Sequence, residues 1–324
     1  MAALWMRRAL IVVACAWSAW LAGCGSSVES AFAPTRAIAF GDSVAYLGDA
    51  AGMGRYTVDD GSVNNWTLTV AQNYGLTLAS TAAGGLSYAH GNARISATPD
   101  AAGNPATPTV TQQIDTFLAT QAATPGDLVL ISAGTGDLIA GMAQVQAGTL
   151  TPDAYVAQAA QAGRDLADQI QRLSDAGMHV VVSGVYRLGR TPWATAIGQT
   201  ALLSDASQGG ASNAFNDALK VRLQNLGLGA RVRYAEIANY VNPVDDGTYH
   251  PVLLANMTAP VCNSVDAGAG IGIGAGEVNS ALCTSATLAD ADLNDYLFAD
   301  KVYLTPEANR LIGQQVYDFL RDTW

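Results

Sequence analysis

Short, wholly apolar runs alternate along this chain with longer stretches in which apolar residues return every third or fourth position. Ala37–Phe40, Asp127–Ser132 and His179–Val185 are runs of the first kind and read as strands, with Arg231–Ile237 a fourth and Leu76–Ala79 a short further one. Trp66–Ala71 reads as a helix ending near Gly75. Val110, Ile114, Phe117 and Leu118 place another over Thr109–Ala122. Pro152–Ala176 is a long helix with Thr151 as N-cap and Gly177 as C-cap. Gly210–Leu226 is the next, and Thr305-Pro306-Glu307 starts a closing helix that runs to Leu320. Strands alternating with long helices predict an α/β fold, a three-layer α/β/α sandwich with a central parallel sheet. One domain over 37–324 is the economical answer. Only the Gly-rich stretch of about 239–288 resists assignment, and it reads as an irregular insertion lying over the site.

The N-terminus follows a different pattern. Arg7 and Arg8 precede an apolar run, Leu10–Trp20, that is short for a permanent membrane span, so residues 1–23 read as a targeting segment. Leu21-Ala22-Gly23-Cys24 resembles a bacterial lipoprotein box. That resemblance implies a mature chain beginning at a lipidated Cys24, a tether over 24–36, and a place on the cell envelope, at the outer membrane because Gly25 follows and not Asp.

Composition narrows the function. With 50% hydrophobic residues and 13% charged, 324 residues can bury a large core. The formal charge of −11 becomes −13 once Arg7 and Arg8 leave with the signal (−11 minus 2), which argues against nucleic acid as a partner. Of four cysteines, Cys15 goes with the signal and Cys24 takes the lipid. Cys262 and Cys283 remain and are expected to form a disulfide in an exported chain. Two thiols without a His cluster make no metal site, so neither metal nor cofactor is expected.

The candidate chemistry starts where the first strand breaks into Gly41-Asp42-Ser43. A buried strand ending in a small turn holds its last side chain at the rim of the sheet, where open α/β sheets bind ligands. Ser43 is therefore a candidate nucleophile, if a base and oxyanion donors stand nearby.

In this setting the tripeptide resembles the first motif of the SGNH/GDSL hydrolases, esterases and lipases with an early Ser and a late Asp-x-x-His. Val44 stands where the commonest form has Leu. The resemblance covers nearly all of the mature chain and implies an ester or lipid-like small molecule as substrate. The family's second motif, a Gly-rich turn giving a backbone N–H to the oxyanion, has two placements here. One is Ala83-Gly84-Gly85; the preferred one is Ser87–Arg94, which makes Gly91 and Asn92 the donors. Asn tolerates a positive φ better than most residues. The third motif, G-x-N-D after a strand, is matched by Gly134-Thr135-Gly136-Asp137, with Gly136 in the place of the Asn that donates to the oxyanion. The last motif is matched by Asp300-Lys301-Val302-Tyr303, with Tyr303 in the His position.

A phenol of pKa near 10 is a poor base at pH 7, which implies activity that is low and rises towards alkaline pH. Of the three histidines, His179 opens a strand and reads as structural. His90 and His250 are the possible substitute bases. Two readings follow: a serine ester hydrolase acting through Ser43, with Asp300 and Tyr303 completing its triad, or a catalytically impaired lipoprotein of the same fold that binds a lipid, glycan or protein.

Overall fold

The computed structural model describes residues 32–48, 54–204, 209–239, 254–289 and 292–324. The lipoprotein box, Cys24 and His250 lie outside the described residues.

Four parallel strands form the central sheet: β1 (Arg36–Gly41), β2 (Asp127–Ser132), β3 (His179–Ser183) and β4 (Val232–Ala235), in that order across the sheet. Ile38 pairs with Val129, Val129 with Val180, and Val180 with Val232. All six residues of β2 are buried, which explains its unbroken apolar run: helices cover both faces. Full burial of each such Leu, Val or Ile is worth about 1.5–3 kcal/mol. Leu86–Tyr88 lies along the free edge of β1, joined by Ala39 N–H to Leu86 O (3.1 Å) and Tyr88 N–H to Ala39 O (2.8 Å). This corrects the expected strand at Leu76–Ala79: the edge pairing falls on the next segment, beyond the 3₁₀ turn Thr81–Ala83.

On one face lie α1 (Trp66–Asn73) and α8 (Pro306–Thr323), packed so closely that a Cβ on Gly313 would meet the Thr69 side chain at 2.5 Å. On the other lie α2 (Val110–Thr120), α4 (Pro152–Asp175) and α7 (Ala211–Asn225), linked by Arg172–Asp115 (2.6 Å) and Arg222–Asp168 (2.8 Å). Right-handed crossovers place them so: the connection out to the edge segment and the connection back over β1 run on opposite faces. The architecture is the expected α/β sandwich. Thr109 caps α2 through a reciprocal box with Gln112, Thr151 caps α4, and Thr305 caps α8 ahead of Pro306.

Five elements depart from the expectation. Thr135–Gln146 is a helix, α3, beginning one residue after Gly134. Pro192–Ala196 (α5) and Thr200–Ser204 (α6) follow β3. Within the insertion, Asn256–Pro260 (β5) pairs in parallel with Tyr296–Phe298 (β6), so that stretch is less irregular than its composition suggests. The Cys262 and Cys283 sulfurs lie 1.97 Å apart, with Cα atoms at 6.0 Å. The tether expected to run to residue 36 ends sooner: Phe32 stacks on His179 (centroids 3.8 Å) and meets Trp324 edge-on, at the end of the sheet opposite Ser43. No helix among the described residues is long and apolar enough to cross a membrane.

Candidate active site

The site is built where β1 and β2 come closest. Gly41 has φ +141°, and a Cβ there would lie 1.9 Å from Ser132 O, so only glycine fits. Gln113 brackets that peptide, accepting from Gly41 N–H and donating to Gly41 O, both at 2.9 Å. Asp42 then turns inward and is fully buried. Its carboxylate accepts N–H bonds from Val44 (3.0 Å), Thr135 (2.8 Å) and Gly136 (3.4 Å), which ties the β1 turn to the start of α3. Desolvation raises its pKa to about 7 despite those bonds.

Ser43 follows, itself buried. Its Oγ accepts the backbone N–H of Asn92 at 2.8 Å, with the Asn92 Oδ1 at 3.5 Å. Asn92 adopts φ +60°, the strained conformation that Asn accepts more readily than most. Of the two placements of the oxyanion turn, this one therefore brings an N–H to Ser43, and Ala83-Gly84-Gly85 is a turn beside the Ser80–Ser87 bridge. Gly91 is needed for a different reason: a Cβ would strike the Tyr56 ring at 2.5 Å.

Tyr56, which no motif pointed to, meets Tyr303 edge-on (centroids 4.9 Å), and the two hydroxyls turn towards Ser43. The Tyr303 hydroxyl is buried, and among the described residues no partner stands in hydrogen-bond geometry to it. Desolvation, reinforced by Asp42 and Tyr56, pushes its pKa well above 10. Burial therefore works against the ionised phenol on which the expected rise in activity towards alkaline pH depends. The space between Val44, Tyr56, Asn65, Tyr186, Tyr303 and Leu304 is a cavity of about 10 Å³, room for one water at most.

Asp300 lies three residues before Tyr303, and its carboxylate is taken up by backbone donors. One oxygen accepts Val302 N–H and Tyr303 N–H, both at 2.7 Å, and the other accepts Ser280 N–H at 3.0 Å. Burial raises its pKa against these bonds. It clamps backbone, including the 3₁₀ turn Ser280–Leu282 of the insertion.

Gly136 and Asp137 also do other work than expected. Gly136 stands where a Cβ would lie 2.2 Å from Ala93 O, so no side chain fits in the oxyanion position. Asp137 accepts Ile95 N–H (2.9 Å) and pairs with Arg94 (3.4 Å), holding the turn that carries Asn92; burial raises its pKa to about 6. His90 contributes backbone, its N–H on Gly41 O (3.2 Å), while its imidazole stacks on Tyr46 and burial lowers its pKa. His179 is structural, its Nδ1 3.2 Å from Pro125 O.

Sequence reasoning thus brought Ser43, Asn92, Asp300 and Tyr303 to one place and missed Tyr56, Gly270 and Ser280. Gly270 O accepts the Asn92 Nδ2 at 2.9 Å, so the insertion does lie over the site. Among the described residues no group of His, Cys, Asp and Glu is set to hold a metal.

The sequence model of a family described as GDSL-like Lipase/Acylhydrolase matches residues 38–316. Solved structures similar to this one include a member of the lipolytic protein G-D-S-L family from Veillonella parvula DSM 2008, at 11% identity and TM-score 0.42, covering 87% of this chain and 96% of that one. Another is a candidate arylesterase from Agrobacterium tumefaciens str. C58, at 17% identity and TM-score 0.43, covering 90% and 100%. No curated protein matches.

Proposed function

The chain belongs to the GDSL-like lipase/acylhydrolase family, and from that premise we propose that it binds an ester- or lipid-like small molecule on the bacterial envelope without hydrolysing it. One observation carries this reading: the side chain in the base position is a buried phenol whose pKa lies well above 10. General-base catalysis needs a group that is unprotonated near the working pH and within reach of the proton it takes. Losing a triad member in other hydrolases leaves only residual catalysis from binding and the oxyanion hole. Here Gly136 has no side chain to donate, and the Asn92 N–H is spent on Ser43 itself. Ser43 and Asp42 in this reading are hydrogen-bond nodes of the cleft.

The Leu21–Cys24 box supports lipid anchoring. Phe32 packs at the end of the sheet opposite Ser43, so in this reading an anchor N-terminal to it leaves the Ser43 end facing outward. Replacing Cys24 by Ser releases the protein from the membrane fraction if this is right, and leaves fractionation unchanged if it is not.

The functional test is turnover of a panel of nitrophenyl esters by wild type and Ser43→Ala. Equal, background rates are expected. A Ser43-dependent rate at pH 7 refutes the reading and returns the protein to the hydrolases.

A further inference from the structure

Between the paired cysteines the chain forms a small hairpin with its own neck. Val265 bridges Val278 antiparallel, Asn279 N–H donates to Ser264 O (2.9 Å), and Asp266 N–H donates to Glu277 O (2.9 Å). Asp266 closes the tip from inside, accepting Gly268 N–H (2.8 Å) and Asn279 Nδ2 (2.8 Å). The hairpin thus holds its shape largely by bonds to itself.

Its tip lies on the site. Gly270 O takes the Asn92 carboxamide, and the next side chain, Ile271, is buried at 1% exposure in the main core. Gly272 presses on Ala101 O, where a Cβ would stand at 2.5 Å. Beside the tip, a shallow depression of about 510 Å³ separates it from Ala101–Gly103. Besides the neck and these contacts of the tip, the Lys301–Glu277 ion pair (2.6 Å) and the Ser280–Asp300 bond fasten it. A carbonyl on an amide donor beside the nucleophile position, followed by a buried branched aliphatic group, is the arrangement of a bound ligand.

We infer that residues 266–277 are an internal occupant of the cleft, and that the ligand displacing them is a carbonyl compound with a branched aliphatic arm, its oxygen taken by the Asn92 amide. This deepens the reading of the site as a binding cleft and rests on it. An occupied cleft binds weakly in proportion to the time it stays closed, so loosening the tip tightens binding.

The test uses the full chain and two probes, the capped tripeptide acetyl-Gly-Ile-Gly-amide and methyl 2-methylbutyrate, titrated calorimetrically. Ile271→Ala removes the buried arm; Glu277→Ala removes only the ion pair and keeps the core intact. Expected is affinity at least about tenfold higher for Ile271→Ala and a smaller gain for Glu277→Ala, with faster hydrogen exchange confined to 266–277. Whichever probe gains more identifies the source of the carbonyl, peptide or ester. Exposure of the tip without binding of either probe overturns the inference. So does a tip that stays as protected as in wild type in both variants, since it is then fixed core. Fluorophosphonate labelling of the same samples separates the two proposals. Labelling of Ser43 in an opened variant sinks the non-hydrolytic reading and leaves the occupant standing.

Discussion

The two halves of the site have gone different ways. At the end of β1, the Gly41–Ser43 turn keeps every feature that aims a serine: a glycine that lets two strands touch, an inward Asp42 with three N–H partners, and an N–H on Ser43 Oγ. At Asp300–Tyr303 the same sequence frame serves packing. Asp300 holds three backbone N–H groups, and Tyr303 fills the space beside Ser43. The difference teaches that the hydrogen bonds of a nucleophile turn are complete without an imidazole in the base position. A serine in the right turn is therefore weak evidence for catalysis without its partner.

That contrast breaks first at Asp300. Truncation to Ala leaves three buried N–H groups without an acceptor, at about 1–3 kcal/mol each, so a loss of at least about 3 kcal/mol is expected in chemical denaturation. Asp300→Asn, which keeps an acceptor oxygen for Val302 and Tyr303, is expected to lose clearly less. Equal, small losses would mean that Asp300 is not a backbone clamp.

Opening the Cys262–Cys283 pair comes next. The residues are 21 apart, so loop-closure entropy alone predicts a loss of about 3 kcal/mol on reduction. Free thiols in the unreduced, folded protein would refute the pairing.

Gly136→Asn is the sharpest comparison between family pattern and this chain. The side chain that would supply an oxyanion donor meets Ala93 O at 2.2 Å at its first carbon. A loss of about 1–3 kcal/mol and no gain in esterase rate are expected. A stable variant with a higher rate would show that the oxyanion position is open after all.

Much of the fold was legible because it depends on local rules. β2 and β3 are apolar between their polar end residues since helices cover both faces, and α2, α4 and α8 carry their caps in the sequence. α3 was not foreseen, and its Gly136 and Gly141 are poor helix formers. They are there for close approach, Gly136 to Ala93 O and Gly141 to the Tyr155 ring. Leu76–Ala79 misled because edge pairing depends on where the chain returns, which apolarity alone does not show. In the site, spacing located Ser43, Asp300 and Tyr303 but not their partners. Tyr56 comes from a Gly/Asp-rich loop, and Gly270 and Ser280 from the insertion. They reach the site through long-range folding that no local pattern records.

The smallest effect expected is at Tyr303 itself. Tyr303→Phe deletes a buried hydroxyl with no partner in hydrogen-bond geometry among the described residues, so stability should change by less than about 1 kcal/mol. A base or a hydrogen-bonded node would lose more.

The most direct measurement is fluorophosphonate labelling of folded wild-type protein, followed from pH 6 to pH 10 against Ser43→Ala. With burial disfavouring the Tyr303 phenolate, no Ser43-dependent labelling is expected anywhere in that range, and the profile should be flat. Labelling that requires Ser43, or that climbs towards pH 10, would show an activated serine and contradict the account.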